Sequence, residues 1–186
     1  MALKATIYKA ELIITDMSRN YYEQHNLTLA KHPSETDERL MVRLLAFALY
    51  ANERLIFGKG IGANEEPDLW LKDLTGAVEL WIDVGQPDER AVLRACGQAK
   101  QVVLVLYGPH TDLWWRHNHK NFPTKENLTV IQLAYKDTQV MAAMAERNMK
   151  LTCSIDDGQI LLSCESINLS IEPVFLQQPN GFKRQL

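Results

Sequence analysis

From Ala77 to Met149 the chain alternates between apolar runs of strand period and segments of helical period, and this alternation limits the fold most strongly. Ala77 to Val84 reads as a strand, with Val78, Leu80, Ile82 and Val84 on one face and Glu79, Trp81 and Asp83 on the other. Asp88 to about Ala99 reads as a helix, Val102 to Tyr107 as a buried strand and Thr111 to His119 as a helix. Leu128 to Tyr135 follows as a strand, then Asp137 to Met149 as a helix with Val140, Met141 and Met144 inward. Period 2 places alternate side chains on opposite faces of a sheet, whereas period 3.6 gathers them into one stripe. Strands separated by short helices predict an α/β core with some parallel pairing.

The flanks are different. Residues 3–16 and 21–31 read as two strands, Leu27 and Leu29 alternating with Thr28 and Ala30. Ser34 is placed to cap a helix with Glu35, Asp37 and Glu38 in its first turn, where the dipole favours acids. Leu40, Met41, Leu44, Leu45, Phe47 and Ala48 carry that helix to about Tyr50. Arg54 to Phe57 fits a short strand before Gly58-Lys59-Gly60-Ile61-Gly62, a glycine run that no helix follows and that therefore does not read as a phosphate-cradling loop. Near the other end Asp157-Gly158 is the preferred dipeptide of a two-residue type I′ hairpin. That turn sets Cys153 opposite Leu162 and Cys164 opposite Leu151, so both thiols are predicted to be buried and reduced. Ile167, Leu169 and Ile171 mark one more strand of an antiparallel meander. Residues 1–176 are then one domain and 177–186 a polar, flexible tail.

A net charge of −3 and a pI near 6.0 give no global attraction to phosphate, so a nucleic-acid partner would need a local basic patch. The most continuous apolar run, Val102 to Tyr107, is far short of the ~20 residues that span a bilayer. The N-terminal residues alternate polar and apolar without a signal-peptide core, and Cys96, Cys153 and Cys164 have no metal or redox spacing. The expectation is a cytoplasmic protein without membrane contact.

The chemistry centres on Pro67-Asp68 and, fifteen positions after Asp68, on Asp83-Val84-Gly85-Gln86 at the end of the apolar strand. Two carboxylates on adjacent strands are how hydrolytic nucleases hold Mg²⁺, or Mn²⁺ in its place. The usual third element, a lysine two residues past the second acid, is here Gly85. Glu35, Arg39 and Arg43 recur every four residues. They form either a solvated ion-pair face or a pair of arginines that grip phosphate beside the acids. Arg90 and Arg94 pose the same choice with less reason to choose function. Asp68 also reads as a turn cap before Leu69-Trp70-Leu71, and Asp83 as an exposed acid at a strand end. Trp114 and Trp115 fit core packing better than base stacking, because neighbours in a helix point about 100° apart.

Several segments then resemble the bacterial YaeQ family: Met1 to Ala10, His32-Pro33-Ser34-Glu35-Thr36, Tyr50-Ala51-Asn52-Glu53-Arg54-Leu55, Leu80 to Gly85 and Pro87-Asp88-Glu89-Arg90. The resemblance runs in matching order along essentially the whole chain. It implies the fold of the PD-(D/E)XK (restriction-endonuclease-like) nuclease superfamily. That fold is a mixed central sheet flanked by helices around a metal cleft, here with added N-terminal strands and a C-terminal meander. By the same resemblance Asp68 matches the first acid and Asp83 the second, both as metal ligands, while Glu38 or Glu35 matches the extra acid beside the metal. Gly85 departs from the lysine. Gln86 could substitute a neutral donor if the strand ends there, which Gly85 and Pro87 allow. Two readings follow: a Mg²⁺- or Mn²⁺-dependent nuclease, or a non-catalytic nuclease-fold domain that binds nucleic acid or a protein partner through the same cleft.

Overall fold

The computed structural model describes residues 4–59, 66–122 and 127–179. Gly60, Ile61 and Gly62 of the glycine run, and residues 180–186 of the tail, lie outside that set. The chain opens with an antiparallel ribbon of β1 (Thr6–Asp16) and β2 (Tyr21–Lys31), followed by α1 (Asp37–Leu49). Then come β3 (Ile56–Phe57), β4 (Leu69–Lys72), β5 (Val78–Val84), α2 (Glu89–Gln98), β6 (Ala99–Leu106), α3 (Thr111–Asn118), β7 (Leu128–Gln132) and α4 (Tyr135–Ala143). The last elements are β8 (Asn148–Asp156), β9 (Gln159–Ser163), β10 (Asn168–Ile171) and β11 (Val174–Gln177).

The strand–helix alternation produces the parallel centre: β5, β6 and β7 are parallel neighbours in a six-stranded sheet of order β11-β7-β6-β5-β4-β3. Strand β6 is buried on both faces. Val103 and Val105 join the core that contains α1, while Val102, Leu104 and Leu106 pack with Val92, Ala95 and Cys96 of α2. That double burial is why its sequence is a continuous apolar run rather than an alternation.

The flanking strands are not separate additions. The N-terminal ribbon and the C-terminal meander form one second sheet, β10-β9-β8-β1-β2, joined by parallel pairing of β1 with β8. Its register sets Leu12 beside Leu151 and Ile14 beside Cys153, so two inward apolar rows become one. Helix α1 lies in the core shared by both sheets, and all ten residues from Leu40 to Leu49 are buried. Apart from Arg43 that stretch is apolar on every side, which suits such a place.

Several boundaries differ from the expected ones. Thr36, not Ser34, caps α1, its hydroxyl accepting from the Arg39 N–H; Ser34 bonds His32 instead. Glu35 therefore precedes the helix. Strand β7 stops at Gln132 and α4 starts at Tyr135, because the Ala134 carbonyl already accepts the Thr138 N–H. Met149 belongs to β8, and Val140 is exposed while Met141 and Met144 are buried. The Asp157-Gly158 turn has positive φ at both residues, as a type I′ turn requires, and Cys153 faces Leu162 as expected. Cys164 falls just past β9 and is half-buried rather than buried; among the described residues none of the three cysteines is in a disulfide. Gln177, expected in the polar tail, instead ends β11, where it pairs with Val130. Among the described residues no helix is long and apolar enough to cross a membrane.

Candidate active site

Strands β4 and β5 are antiparallel with Leu69 opposite Ile82, which brings Asp68, just before β4, level with Asp83, the penultimate residue of β5. A backbone contact sets the approach to Asp68. The Gly58 N–H donates to the Asp68 carbonyl at 2.9 Å, and a Cβ on Gly58 would lie 1.9 Å from the Pro67 oxygen. Only glycine permits that approach. The Asp68 N–H in turn donates to Asp83 Oδ1 at 3.3 Å. Asp83 Oδ2 accepts from the Trp81 indole at 2.8 Å. Asp68 Oδ2 accepts from the Val84 N–H at 2.8 Å, and Oδ1 from Arg39 Nη2 at 2.6 Å. Both acids line a cleft of about 420 Å³ together with Arg39, Glu66, Gln86 and Arg94.

The expected third acid is elsewhere. Glu35, only 4% exposed, accepts from Arg39 at 3.1 Å and lies 3.1 Å from Nε of Arg43, so it is an anchor beneath the cleft. Glu38 accepts from the Thr138 hydroxyl at 2.6 Å and ties α1 to α4. Neither lines the cleft, because Glu35 is off the helix and Glu38 faces α4. Arg43 is 1% exposed, against Phe57 and the Ala30 carbonyl, and can be neither a solvated ion-pair face nor a surface grip for phosphate. The further acids that line the cleft are Asp88, the N-cap of α2, and Glu66, which lies 2.9 Å from Lys59. Adjacency to Pro67-Asp68 was the one signal the sequence offered for Glu66.

Gln86 is exposed on the turn after β5, where Nε2 donates to the Tyr107 carbonyl at 3.3 Å. The strand does end there: the Gly85 N–H still makes a ladder bond to the Val105 carbonyl, but its φ of +103° turns the chain out of the sheet. A Cβ at Gly85 would meet only ordinary contact with Tyr107, 3.7 Å away. Conformation, not space, keeps a lysine from this position.

The electrostatics follow from burial. Burial raises the Asp83 carboxyl to about 6, with the neighbouring Asp68 charge adding to it and the Trp81 hydrogen bond opposing. Burial also pushes the Tyr107 hydroxyl up to about 12, although Arg39 opposes it. For Arg39 itself burial acts downward, but the Asp68 and Glu35 carboxylates raise it overall. The donors are hard carboxylate oxygens, which suit Mg²⁺ or Mn²⁺ and not a thiophilic ion. Among the described residues no group of three or more His, Cys, Asp or Glu is placed to hold a metal ion. Two carboxylates completed by water fit Mg²⁺, which retains several of its waters.

A family model described as YaeQ protein matches residues 1–173. The chain belongs to the YaeQ family. It is 44% identical over 181 residues to YaeQ of Escherichia coli (strain K12), covering 97% of this chain and 100% of that one. YaeQ of Salmonella typhi is 43% identical over the same shares. Among solved structures, YaeQ from Xanthomonas axonopodis pv. citri matches with a TM-score of 0.91 at 45% identity, covering 94% of this chain and 99% of that one. The Pseudomonas syringae YaeQ structure gives 0.90 at 33% identity, covering 95% and 98%. The two-sheet α/β architecture is thus that of the YaeQ family, and the chemistry is argued from the cleft.

Proposed function

We propose that this chain has a PD-(D/E)XK (restriction-endonuclease-like) core and acts on nucleic acid as a metal-dependent, nuclease-like protein at the Asp68–Asp83 cleft. One observation carries the reading. Carboxylates from two neighbouring strands are linked through the Asp68 N–H and open into one cleft beside an arginine. Asp68 and Asp83 would hold Mg²⁺ or Mn²⁺, which when bound activates water and neutralises phosphate charge. Arg39, which lines the cleft, would contact a phosphate oxygen. Gln86, fixed through Nε2 to the Tyr107 carbonyl, can orient water with its amide but cannot supply the lysine's charge. Turnover is therefore weak.

The test is cleavage of single- and double-stranded DNA and RNA with each metal, by wild type and Asp83→Asn. Metal-dependent cleavage that disappears in the folded variant supports the reading. No cleavage and no heat of Mg²⁺ or Mn²⁺ binding would end it. The second reading is a non-catalytic domain that binds nucleic acid or a protein partner through this cleft. The backbone of Gly85, which disfavours lysine, and the engagement of Asp68 by Arg39 favour it. Metal binding that depends on Asp83, with none of the four substrates cut, is its expected result.

A further inference from the structure

Four carboxylates (Glu66, Asp68, Asp83, Asp88) and two guanidiniums (Arg39, Arg94) line the cleft, an excess of negative charge that does not draw in phosphate. Arg39 offers little attraction in this state, because its charge is already shared between Glu35 at 3.1 Å and Asp68 at 2.6 Å. Glu35 is at the same time 3.1 Å from buried Arg43. Arg39, Arg43, Glu35 and Asp68 thus form a four-membered cluster with matched charge.

Resting on the reading of the cleft as a divalent-cation site, we propose that Arg39 is the cleft's resident counter-ion, released from Asp68 by metal binding and thereby presented to a nucleic-acid phosphate. Once Asp68 is committed to a metal, Glu35 is left with two arginines, and the cluster carries one surplus positive charge. Arg43 cannot present that charge, being 1% exposed, whereas the Arg39 side chain is 18% exposed and borders the cleft. Glu35 stays fixed by Arg43 and by the His32 N–H, so it holds the Arg39 guanidinium at the rim after Asp68 lets go. Metal and phosphate then bind cooperatively without any large movement of the fold, since each removes a competitor of the other. The same exchange accounts for a cleft without lysine at Gly85: the cation beside the acids comes from α1 instead of β5.

Two affinities test this, neither of them a rate. Mn²⁺ alone is titrated calorimetrically into wild type, Arg39→Met and Arg39→Lys. A short phosphorothioate DNA oligonucleotide, which resists cleavage, is titrated with and without Mn²⁺. Arg39→Met is expected to bind Mn²⁺ about tenfold more tightly, the order for removing a unit charge from within ~4–6 Å of a ligand carboxylate. It should also lose the Mn²⁺-dependent gain in oligonucleotide affinity, with Arg39→Lys between the two. A merely structural role would weaken both affinities together. Equal or weaker Mn²⁺ binding by folded Arg39→Met overturns the proposal and leaves the cation reading intact; so does tighter Mn²⁺ binding with an undiminished oligonucleotide gain. Asp83→Asn should abolish Mn²⁺ binding in either background. Absence of Mn²⁺ binding by wild type and variants alike would remove the cation reading and this proposal together. Should Arg39→Met not fold, Arg39→Gln makes the same comparison.

Discussion

Replacing Glu35 by glutamine probes the cluster beneath the cleft. The carboxylate is 4% exposed and is the shared partner of Arg39 and Arg43, each at 3.1 Å. The two arginines are not affected equally. Arg39 keeps Asp68 at 2.6 Å, whereas Arg43 keeps only a long 3.5 Å contact to the Ala30 carbonyl and the Phe57 ring 5.7 Å away. Burial already disfavours the charged form of Arg43, and Glu35 is the largest influence opposing that. Breaking one partner from a buried pair costs about 3–5 kcal/mol, because the remaining charge is buried uncompensated. A glutamine oxygen recovers one neutral hydrogen bond, about 1 kcal/mol. We therefore expect Glu35→Gln to lose about 3 kcal/mol in urea unfolding at pH 7.5 in EDTA, and Arg43→Met to lose a similar or smaller amount. The double variant should regain most of the loss, since an apolar side chain of similar volume replaces a buried ion at little cost. The double-mutant cycle then shows a coupling of about 2 kcal/mol or more. A Glu35→Gln loss under about 0.5 kcal/mol, or additive single losses, would show that Arg43 is not held by this carboxylate and would refute the cluster.

In metal-free protein, the folded Asp83 carboxyl, at about 6, holds its proton more tightly than at its ordinary 3.8. Its contribution to stability is complete below pH 3.8 and is lost as pH rises through about 6, amounting to about 3 kcal/mol. Between pH 4 and pH 8 the unfolding free energy of wild type should thus fall relative to Asp83→Asn by about 2 kcal/mol, and a pH-independent difference would contradict the assigned burial. Gly58→Ala places a methyl into the Pro67 oxygen, so it should cost about 1–3 kcal/mol and weaken Mn²⁺ binding by shifting Asp68. Gly85→Lys should cost about 1–2 kcal/mol for its φ of +103° and should not raise any cleavage rate; faster cleavage would mean that the turn relaxes readily. Cys153→Ser should cost about 1–3 kcal/mol for a buried hydroxyl without touching metal binding, and Cys164→Ser, half-buried, should cost less.

What could be read from the sequence was what neighbours along the chain decide. The Asp157-Gly158 turn fixes the hairpin register by itself, because two positive φ values leave one way for the strands to leave the turn. The double-sided burial of β6 is visible as a run without alternation. Trp114 and Trp115, both half-buried, pack against the same Phe122 rather than dividing into one buried and one exposed ring, as neighbours about 100° apart on a helix would. What could not be read was which distant partner completes an element. Nothing in Leu12 and Ile14 specifies Leu151 and Cys153 as parallel neighbours, since any apolar row would satisfy the same alternation. Strand β11 is short, and only its pairing with β7 distinguishes it from a tail.

The candidate site divides along the same line. Asp68 and Asp83 meet because β4 and β5 are consecutive antiparallel strands, a relation local enough to read. The roles of Glu35, Glu38 and Arg43 depend on a helix start and on burial from both sheets. Thr36 and Ser34 are equally able to cap a helix by residue type. The choice between them is made by the His32–Ser34 contact and by the Arg39 N–H finding Thr36. Once Thr36 caps, Glu35 is left outside the helix, its carboxylate directed to two arginines rather than toward Asp83. A cap displaced by two residues thus converts an expected metal ligand into the anchor of Arg39. On the proposed reading, the cation absent from Gly85 would come from Arg39 of α1, which this same Glu35 holds beside the cleft.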